Sequence, residues 1–310
     1  MMNIVGKRIW FFAFAAILLV VCVVSLAVFG LKTGIDFASG SLLTVKFDQA
    51  VKPADVQSAL PGFGYTGTVE LDAQGNIVIR TVELTPEQKA TLKSDLTAKF
   101  GNLTELGFEN VDPIVAKQTA QAAIIATAVA SVGILLYIAF AFRKMPKPFH
   151  YGVSAVAALL LDVIVVLGVF SILGKASNWE IDLALVTGIL TVIGYAINDT
   201  IVIFDRIREN QKKYPGTDFA VVVNNSLIDV MTRELMTGLG VLFILVALLL
   251  FVGPTIKNLV VVLMVGIYFG TFTSMFVASP LLVVWEKHGD WGSFFAKKES
   301  GKEGSLAQTR

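Results

Sequence analysis

Two aspartates stand inside long apolar segments of this sequence, where a charged side chain is expensive. Asp162 and Asp199 are the lone charged residues of segments 151–174 and 183–204. An aspartate at the centre of a bilayer costs roughly 2.5–3.5 kcal/mol on insertion scales. These residues are therefore the first candidates for function, and the chemistry open to them is the uptake and release of a proton.

Asn198 and Arg233 are the neighbours that such chemistry could use. Asn198 adjoins Asp199 and offers a neutral donor to either form of the carboxyl, while Arg233 stands at the entry to a later apolar segment. Desolvation favours a protonated carboxyl and a nearby arginine favours an ionised one, so alternation between two environments would load and release a proton. Two plainer interpretations stay open: Asn198 and Asp199 as hydrogen-bonding glue between helices, and Arg233 as a topogenic or headgroup-binding arginine.

The segment that carries Asp199 also carries a stripe of polar residues. Helical spacings of four, four, three and seven place on one face Thr187, Thr191, Tyr195, Asn198 and Asp205. Unsatisfied polar groups are costly in lipid, so this face is expected to contact protein or water.

The elements that hold these residues are predicted to be transmembrane helices. The chain is 55% apolar and only 16% charged, with a mean hydropathy of +0.72. A spanning helix needs roughly 20 mostly apolar residues, and six windows qualify: 9–31, 118–142, 151–174, 183–204, 235–256 and 258–285. The first window follows Lys7 and Arg8 as a signal peptide would, but its length favours an uncleaved anchor.

Basic residues in the short loops set the predicted direction of the six spans. On one side they are Lys7, Arg8, Arg143, Lys144, Lys147, Arg206, Arg208, Lys212, Lys213 and Lys287. The opposite short loops hold only Lys175 and Lys257, so both termini are predicted to be cytoplasmic. The resulting division is a cytoplasmic N-terminus with helix 1 (1–31), an extracytoplasmic domain with hinges (32–117), helices 2–6 (118–285) and a cytoplasmic tail (286–310).

The segment 41–112, between the first two spans, reads as a small folded domain. Patterning predicts strands at 41–47, 66–71, 76–81 and 103–111, with helices at 53–60 and 86–100. Residues 85–88 match a capping box with proline at the first helical position. The order β-α-β-β-α-β is the ferredoxin-like pattern. We therefore predict an all-α membrane protein of six helices with an α/β ferredoxin-like domain inserted after helix 1.

Glycines and an amphipathic stretch complete the prediction for the helices. Gly266 and Gly270 form a GxxxG pair in span six, and Gly188 and Gly194 lie in span four, where each would permit close helix packing. Residues 217–234 are predicted to form an interfacial helix, because one helical face carries the apolar residues Phe219, Val222, Val223, Leu227 and Val230.

The reactive side chains are too few for several classes of function. The sequence has one cysteine, Cys22, and two histidines, His150 and His288, which cannot build a zinc or haem site. It carries no recognisable nucleophile–base pair or Walker loop. We therefore expect no enzyme activity, no cofactor, no metal and no nucleic-acid partner.

Two motifs resemble the SecD/SecF family of protein-export membrane proteins. Gly34-Ile35-Asp36-Phe37 follows span one and precedes Gly40, and residues 193–210 read IGYAINDTIVIFDRIREN. The likeness covers the whole chain, and it implies half of a resistance-nodulation-division-type 12-helix unit. Among its departures from the family pattern, Leu161 replaces a histidine, and polar non-acidic residues are replaced by Ile228, Val230 and Glu234.

The resemblance also implies a function and a set of partners in the bacterial cytoplasmic (inner) membrane. Family members pair with a SecD-like subunit, associate with the SecYEG channel and are thought to use the proton motive force late in preprotein translocation. The translocating preprotein, the membrane protein YajC and membrane lipid are further expected contacts. The family's essential membrane aspartate falls on Asp199, its conserved arginine on Arg233 and its second aspartate on Asp162.

Two other functions stay open at this point. The runner-up is a resistance-nodulation-division-type exporter of small molecules or lipids, although such exporters usually carry both six-helix halves in one chain. The third is a passive scaffold without proton coupling. Segments 34–41 and 112–117 are predicted to be hinges on which the inserted domain moves as a body.

Overall fold

The protein consists of a helical bundle and one small sheet. The computed structural model describes residues 3–72, 74–143, 145, 147–177, 179–251 and 254–286. Within them the elements are α1 (Arg8–Phe29), α2 (Ile35–Ala38), β1 (Gly40–Phe47), α3 (Pro53–Ala59), β2 (Gly67–Leu71), β3 (Ile77–Thr81), α4 (Pro86–Phe100), β4 (Leu103–Val111), α5 (Pro113–Ala141), α6 (Pro148–Ser177), α7 (Leu183–Lys213), α8 (Phe219–Phe251), α9 (Pro254–Thr273), a π-helical turn (Ser274–Ala278) and α10 (Ser279–Glu286).

The prediction of six helices able to span a membrane is confirmed by their length and composition. Among the described residues, six helices are long and apolar enough to cross a membrane, the sixth being α9, the π-helical turn and α10 together. The predicted basic residues Lys144 and Lys287, and the predicted tail beyond position 286, lie outside the described residues.

The helices α6, α7 and α9 form the centre of the bundle. Half of the apolar window of α6 is buried within the chain, against 6% for α5 and 11% for α8. Large apolar side chains on the outer helices are correspondingly exposed, among them Trp10, Ile124 and Phe243. These faces are the ones that lipid or another chain would cover.

Helix α1 packs into the bundle against α6. A Cβ atom at Gly168 would lie 2.4 Å from Cys22 Cβ, so glycine is required for this approach. One turn further, Ser25 and Ser171 join their hydroxyl groups by a hydrogen bond of 3.0 Å.

Glycines also bring α7 and α9 into close contact. A Cβ atom at Gly266 would lie 2.3 Å from Val192 Cγ2, and one at Gly188 would lie 2.7 Å from Val262 Cγ1. A Cβ atom at Gly270 would lie 3.0 Å from Ala196 Cβ. The prediction of close packing fails at Gly194, because no described atom approaches its Cβ position within 4 Å.

The predicted interfacial helix at 217–234 is wrong as a separate element. Helix α8 is continuous from Phe219 to Phe251 and includes both this stretch and span five. Its apolar residues Val223, Leu227 and Val230 are buried in a core shared with α5, α6 and α7, not laid on a membrane surface. Residues 219–237 contain no glycine or proline that would end the helix.

The insertion after α1 is a four-stranded antiparallel sheet with two helices, which we call the inserted domain (residues 40–111). Its strand order is β2-β3-β1-β4. Strand residues Leu43 and Ile79 pack with Leu92 and Leu96 of α4 in a core from which water is excluded. The predicted capping box is present, since the Gln88 N–H donates to the side chain of the cap residue at position 85.

Candidate functional site

Asp199 lies in the buried centre of the bundle, between α7 and α9. It is 3% exposed, and Thr271 Oγ1 donates a hydrogen bond of 3.0 Å to its Oδ2. The adjoining contact between Gly270 and Ala196 holds the two helices close enough for this bond. A neutral hydroxyl donor brings no positive charge, so an ionised Asp199 depends on other neighbours for compensation.

A second carboxyl group, Glu234, meets Asp199 from α8. Glu234 is 2% exposed, and its carboxyl group lies close enough to that of Asp199 for the two to interact directly. Arg233 Nη2 donates to Glu234 Oε1 at 3.0 Å and also attracts Asp199. The sequence prediction did not include Glu234 in the site. The signal that could have found it is its spacing of four and seven from the buried Val230 and Leu227.

Asp162 reaches the same region from α6. It is 1% exposed, and Thr273 Oγ1 donates to its Oδ1 at 2.7 Å. Its other oxygen, Oδ2, has no hydrogen-bond partner within the described part of the chain. It lies close enough to Asp199 for the two charges to repel. A buried polar atom left without a partner is uncommon in native proteins and requires an explanation.

A π-helical turn interrupts the sixth span beside these groups. It covers Ser274–Ala278, and the Ser274 hydroxyl is 2.8 Å from Thr200 Oγ1 on α7. Ser274 Oγ also donates to the carbonyl oxygen of Ala196 at 3.3 Å. Such π turns occur frequently at functional sites, where they redirect side chains on a helix.

Asn198 does not join the carboxyl groups. It is exposed on α7, on the face that also presents the exposed Thr187 and Thr191 and the half-buried Tyr195. Successive helical residues point about 100° apart, because a turn holds 3.6 residues, so Asp199 faces inward where Asn198 faces outward. The predicted hydrogen-bonding role of Asn198 toward Asp199 is therefore not supported by the structure.

A polar cavity leads from the end of the bundle remote from the inserted domain to Arg233. It has a volume of ≈ 500 Å³ and is lined by Ile201, Val202, Asp205, Arg206, Glu209, Asp229, Val230 and Arg233. Arg206 donates to Asp229 at 2.8 Å and to Glu209 at 2.7 Å. The Arg233 side chain is 56% exposed. Water in the cavity could therefore reach the arginine that contacts the carboxyl pair.

The motif after α1 is attached to the start of α7, the helix that carries Asp199. The Gly34 N–H donates to the Ile181 carbonyl oxygen at 2.8 Å, and a Cβ atom at Gly34 would lie 2.9 Å from that oxygen. Asp36 Oδ2 accepts a hydrogen bond of 2.9 Å from the Leu183 N–H. A carboxylate at this position satisfies one of the free N–H groups of the helix and favours its positive end.

Asp182 is a second carboxylate at the start of α7. Its Oδ1 accepts from the Leu185 N–H at 2.8 Å, and its Oδ2 accepts from Asn258 Nδ2 at 2.8 Å. Burial raises the pKa of Asp182 above its ordinary value, while these two hydrogen bonds act in the opposite direction. The first turn of α7 is thus fixed both to α9 and to the motif.

The remaining motif residues hold the connection to the sheet. Ile35 is buried and Phe37 half-buried in the short helix α2. Gly40 begins β1 at φ +124°, and a Cβ atom there would lie 2.6 Å from the Thr81 carbonyl oxygen, so only glycine is compatible with this passage.

Four charged side chains join the inserted domain to the bundle; we call them the ionic latch. Arg80 and Glu70 belong to the sheet, and Lys32 and Glu180 belong to the segments after α1 and before α7. Glu180 pairs with Arg80 and, at 3.3 Å, with Lys32, whose Nζ is 3.2 Å from Glu70 Oε1. Networks of such pairs hold an orientation better than single exposed pairs do.

Buried carboxyl groups beside an arginine are a type of site at which a proton can be taken up and released. Three carboxyl groups and one arginine meet inside apolar helices, and a cavity reaches the arginine from one end. Among the described residues there is no group of three or more His, Cys, Asp or Glu side chains with metal-binding geometry.

Two family models match the sequence. One describes the C-terminal part of the protein export membrane proteins SecD/SecF and matches residues 91–288, and the other describes the SecD/SecF GG motif and matches residues 24–51. The first model covers more than half of the chain.

Relatives of similar length are named as translocase subunits. The protein translocase subunit SecF of Thermobaculum terrenum is 44% identical, with 92% of this chain and 94% of the relative aligned. The SecF subunit of Anaerolinea thermophila is 35% identical over 96% and 98% of the two chains. The SecDF protein of Bacillus subtilis is 34% identical over 91% of this chain but only 38% of its own length.

Solved structures show the same fold. SecDF of Thermus thermophilus, described as a translocon-associated membrane protein, superposes with a TM-score of 0.82 at 29% identity, over 92% of this chain and 39% of that one. SecDF in a super-membrane-facing form superposes with a TM-score of 0.67 over 93% of this chain and 39% of that one. The chain therefore corresponds to well under half of a SecDF protein.

Proposed function

The chain belongs to the SecD/SecF family of protein-export membrane proteins, and from that premise we propose that it couples proton movement to preprotein translocation. It is an accessory subunit of the Sec translocase. Together with a SecD-like partner it uses the proton motive force in a late stage of translocation across the cytoplasmic membrane. The observation that carries the proton step is the buried pair Asp199 and Glu234 beside Arg233.

A proton that enters this site neutralises a carboxyl group in a region of low dielectric. The change in charge alters how strongly Asp199 is held by Arg233 and by Thr271 on α9. Since α7, α8 and α9 each contribute one of these groups, protonation would shift the preferred packing of the three helices. A switch needs only such a local charge change acting on an element with two arrangements.

The exposed polar face of α7 supports a partner-dependent half-unit. Thr187, Thr191 and Asn198 are exposed although they lie within a spanning helix. A polar face of this kind requires protein or water beside it. A SecD-like chain would supply the second half of a resistance-nodulation-division-type 12-helix unit, and the SecDF relatives carry both names in one protein.

The inserted domain is the part that would contact the preprotein. We assign it to the ferredoxin-like class because its element order is β-α-β-β-α-β and all its strand pairs are antiparallel. The proposed boundaries remain 32–117 for the domain with its hinges and 118–285 for helices 2–6. SecYEG, YajC and membrane lipid complete the proposed set of partners.

The test of the partner assignment is affinity purification of the full chain from membranes in mild detergent. A SecD-like chain is expected to co-purify, with SecYEG and YajC in smaller amount. A variant with Thr187 and Thr191 both replaced by leucine is compared with the unsubstituted chain. The substitutions remove polar groups from the proposed contact face and should lower the recovery of the partner. Recovery of this chain alone, or with transporter subunits of another class, would contradict the assignment and favour the small-molecule exporter.

The proposed orientation can be tested with single cysteines. A cysteine at Gln74, in the inserted domain, should react with an impermeant thiol reagent on cells that lack an outer barrier. A cysteine at Ser305, in the proposed cytoplasmic tail, should react only after the cells are opened. Cys22 is buried and gives no background. The opposite labelling pattern would overturn the orientation.

A further inference from the structure

Glu234 is a buried acid that the family resemblance does not assign. It lies where polar non-acidic residues are usual in the family, and it is at least as buried as Asp199. It lines a groove of ≈ 170 Å³ between α8 and α9, whose other lining residues are mostly apolar, such as Leu239, Ile267 and Phe272. Its carboxyl group therefore has few ways to be satisfied.

The nearness of two buried carboxyl groups favours a proton between them. A carboxylate is only an acceptor, so two ionised carboxylates cannot hydrogen-bond to each other. Both carboxyl groups are buried, and Glu234 lines the same groove as Thr271, which donates to Asp199. A hydrogen bond between Asp199 and Glu234 can form only when one of them carries a hydrogen. Two like charges in contact also repel strongly, and one shared proton removes that repulsion.

The charges around the pair favour a single shared proton. Arg233, on α8, supplies one positive charge. Among the described residues it is the cationic side chain that contacts the pair. With one proton on the pair, the positive charge of Arg233 and the negative charge of the remaining carboxylate cancel. Other titratable groups facing the site are Asp162 from α6, Tyr195 from α7 and Tyr268 from α9, of which none adds a positive charge.

We propose that Glu234 is a second proton-carrying group and that it shares one proton with Asp199. The inference rests on the proposed coupling function. It makes Glu234 the group that passes a proton between Asp199 and the side of the site where Arg233 lines the cavity. In the transfer step the O–H bond on Asp199 breaks and an O–H bond on Glu234 forms, so the negative charge passes to Asp199. Arg233, which touches Glu234 and lines the cavity, stays close to the negative charge in both states.

Infrared spectroscopy of the purified full chain with its partner provides the test. Protonated carboxyl groups absorb separately from ionised ones, so the loss of one protonated group can be measured. Asp199→Asn and Glu234→Gln should each remove the same band, since the surviving carboxylate then pairs with Arg233 and needs no proton. The double variant should remove no more than either single variant. Glu83→Gln, an exposed glutamate of the inserted domain, is the matched control and should leave the band intact.

The outcomes separate this inference from the proposed function. A band that survives Glu234→Gln, or losses that add to two groups in the double variant, would overturn the shared proton whatever happens to export. If either substitution removes the same band but Asp199→Asn cells export normally, the shared proton stands and the coupling function is contradicted. If both hold, Glu234→Gln should lower proton-dependent export at least about a hundredfold, the lower end of the range of roughly 10²–10⁴ known for positioned proton-transfer groups, and Glu234→Asp should restore part of it.

Discussion

Replacing Asp199 by asparagine should abolish the proton-dependent stimulation of export while leaving the chain in the membrane and bound to its partner. Asparagine is nearly isosteric and can still accept the hydrogen bond from Thr271, but it cannot take up a proton. Export of a pulse-labelled preprotein, measured in cells with and without a protonophore, should match that of cells lacking the chain.

Asp162→Asn is the matched control for this prediction, because it removes a carboxyl group that is equally buried in the same bundle. Its effect should be smaller, because the histidine that usually precedes this aspartate in the family is Leu161 here. Normal export by Asp199→Asn cells would show that the side chain only joins helices. Failure of the variant to assemble with its partner would lead to the same conclusion.

The energy of one proton limits what this site can do in a cycle. A charge that crosses a potential of about 100 mV releases roughly 2.3 kcal/mol, whereas unfolding a domain takes about 5–15 kcal/mol. A single proton therefore cannot unfold a folded substrate. The same energy biases a two-state element by about fiftyfold, at 1.4 kcal/mol per factor of ten, which is enough for repeated cycles to ratchet an unfolded chain outward.

The spans and the domain could be predicted because their signals are local. Apolar runs set the six helices, and alternation with turn residues set the strands of the inserted domain. The capping box at 85–88 appears in the structure as predicted, since both of its hydrogen bonds form within four residues. Such features depend on residues that are close together in the sequence, so they can be predicted without knowing how the helices pack.

The site was harder to predict because its members come from different helices. The sequence identified Asp162, Asp199 and Arg233, but which side of each helix faces inward depends on packing between helices. Asn198 was expected to hydrogen-bond to Asp199 and faces outward instead. Glu234 was assigned to an interfacial helix, because a length limit of roughly 20 residues placed the start of span five after it. The helix in fact continues through that position.

The inserted domain's movement can be tested by locking it to the bundle at the ionic latch. Cysteines replacing Arg80 and Glu180, joined by a short reducible cross-linker, would fix the sheet to the segment before α7. If the domain moves as a body on hinges at 34–41 and 112–117, this link should reduce export stimulation to the level of cells lacking the chain. Cleavage of the linker in the same sample should restore it.

A cross-link inside the inserted domain is the matched control for the locked chain. Lys89 and Glu105 form an ion pair of 2.5 Å between α4 and β4, so cysteines at these positions accept the same linker without restricting the domain relative to the spans. Export should continue in this control. Asp36 accepts a hydrogen bond from the first residue of α7, and Glu180 precedes that helix by three residues. A shift of α7 on protonation of Asp199 would therefore be transmitted to the sheet through this junction. Equal export by the 80–180 and 89–105 cross-linked chains would exclude a moving domain and would leave the proton site without this mechanical output.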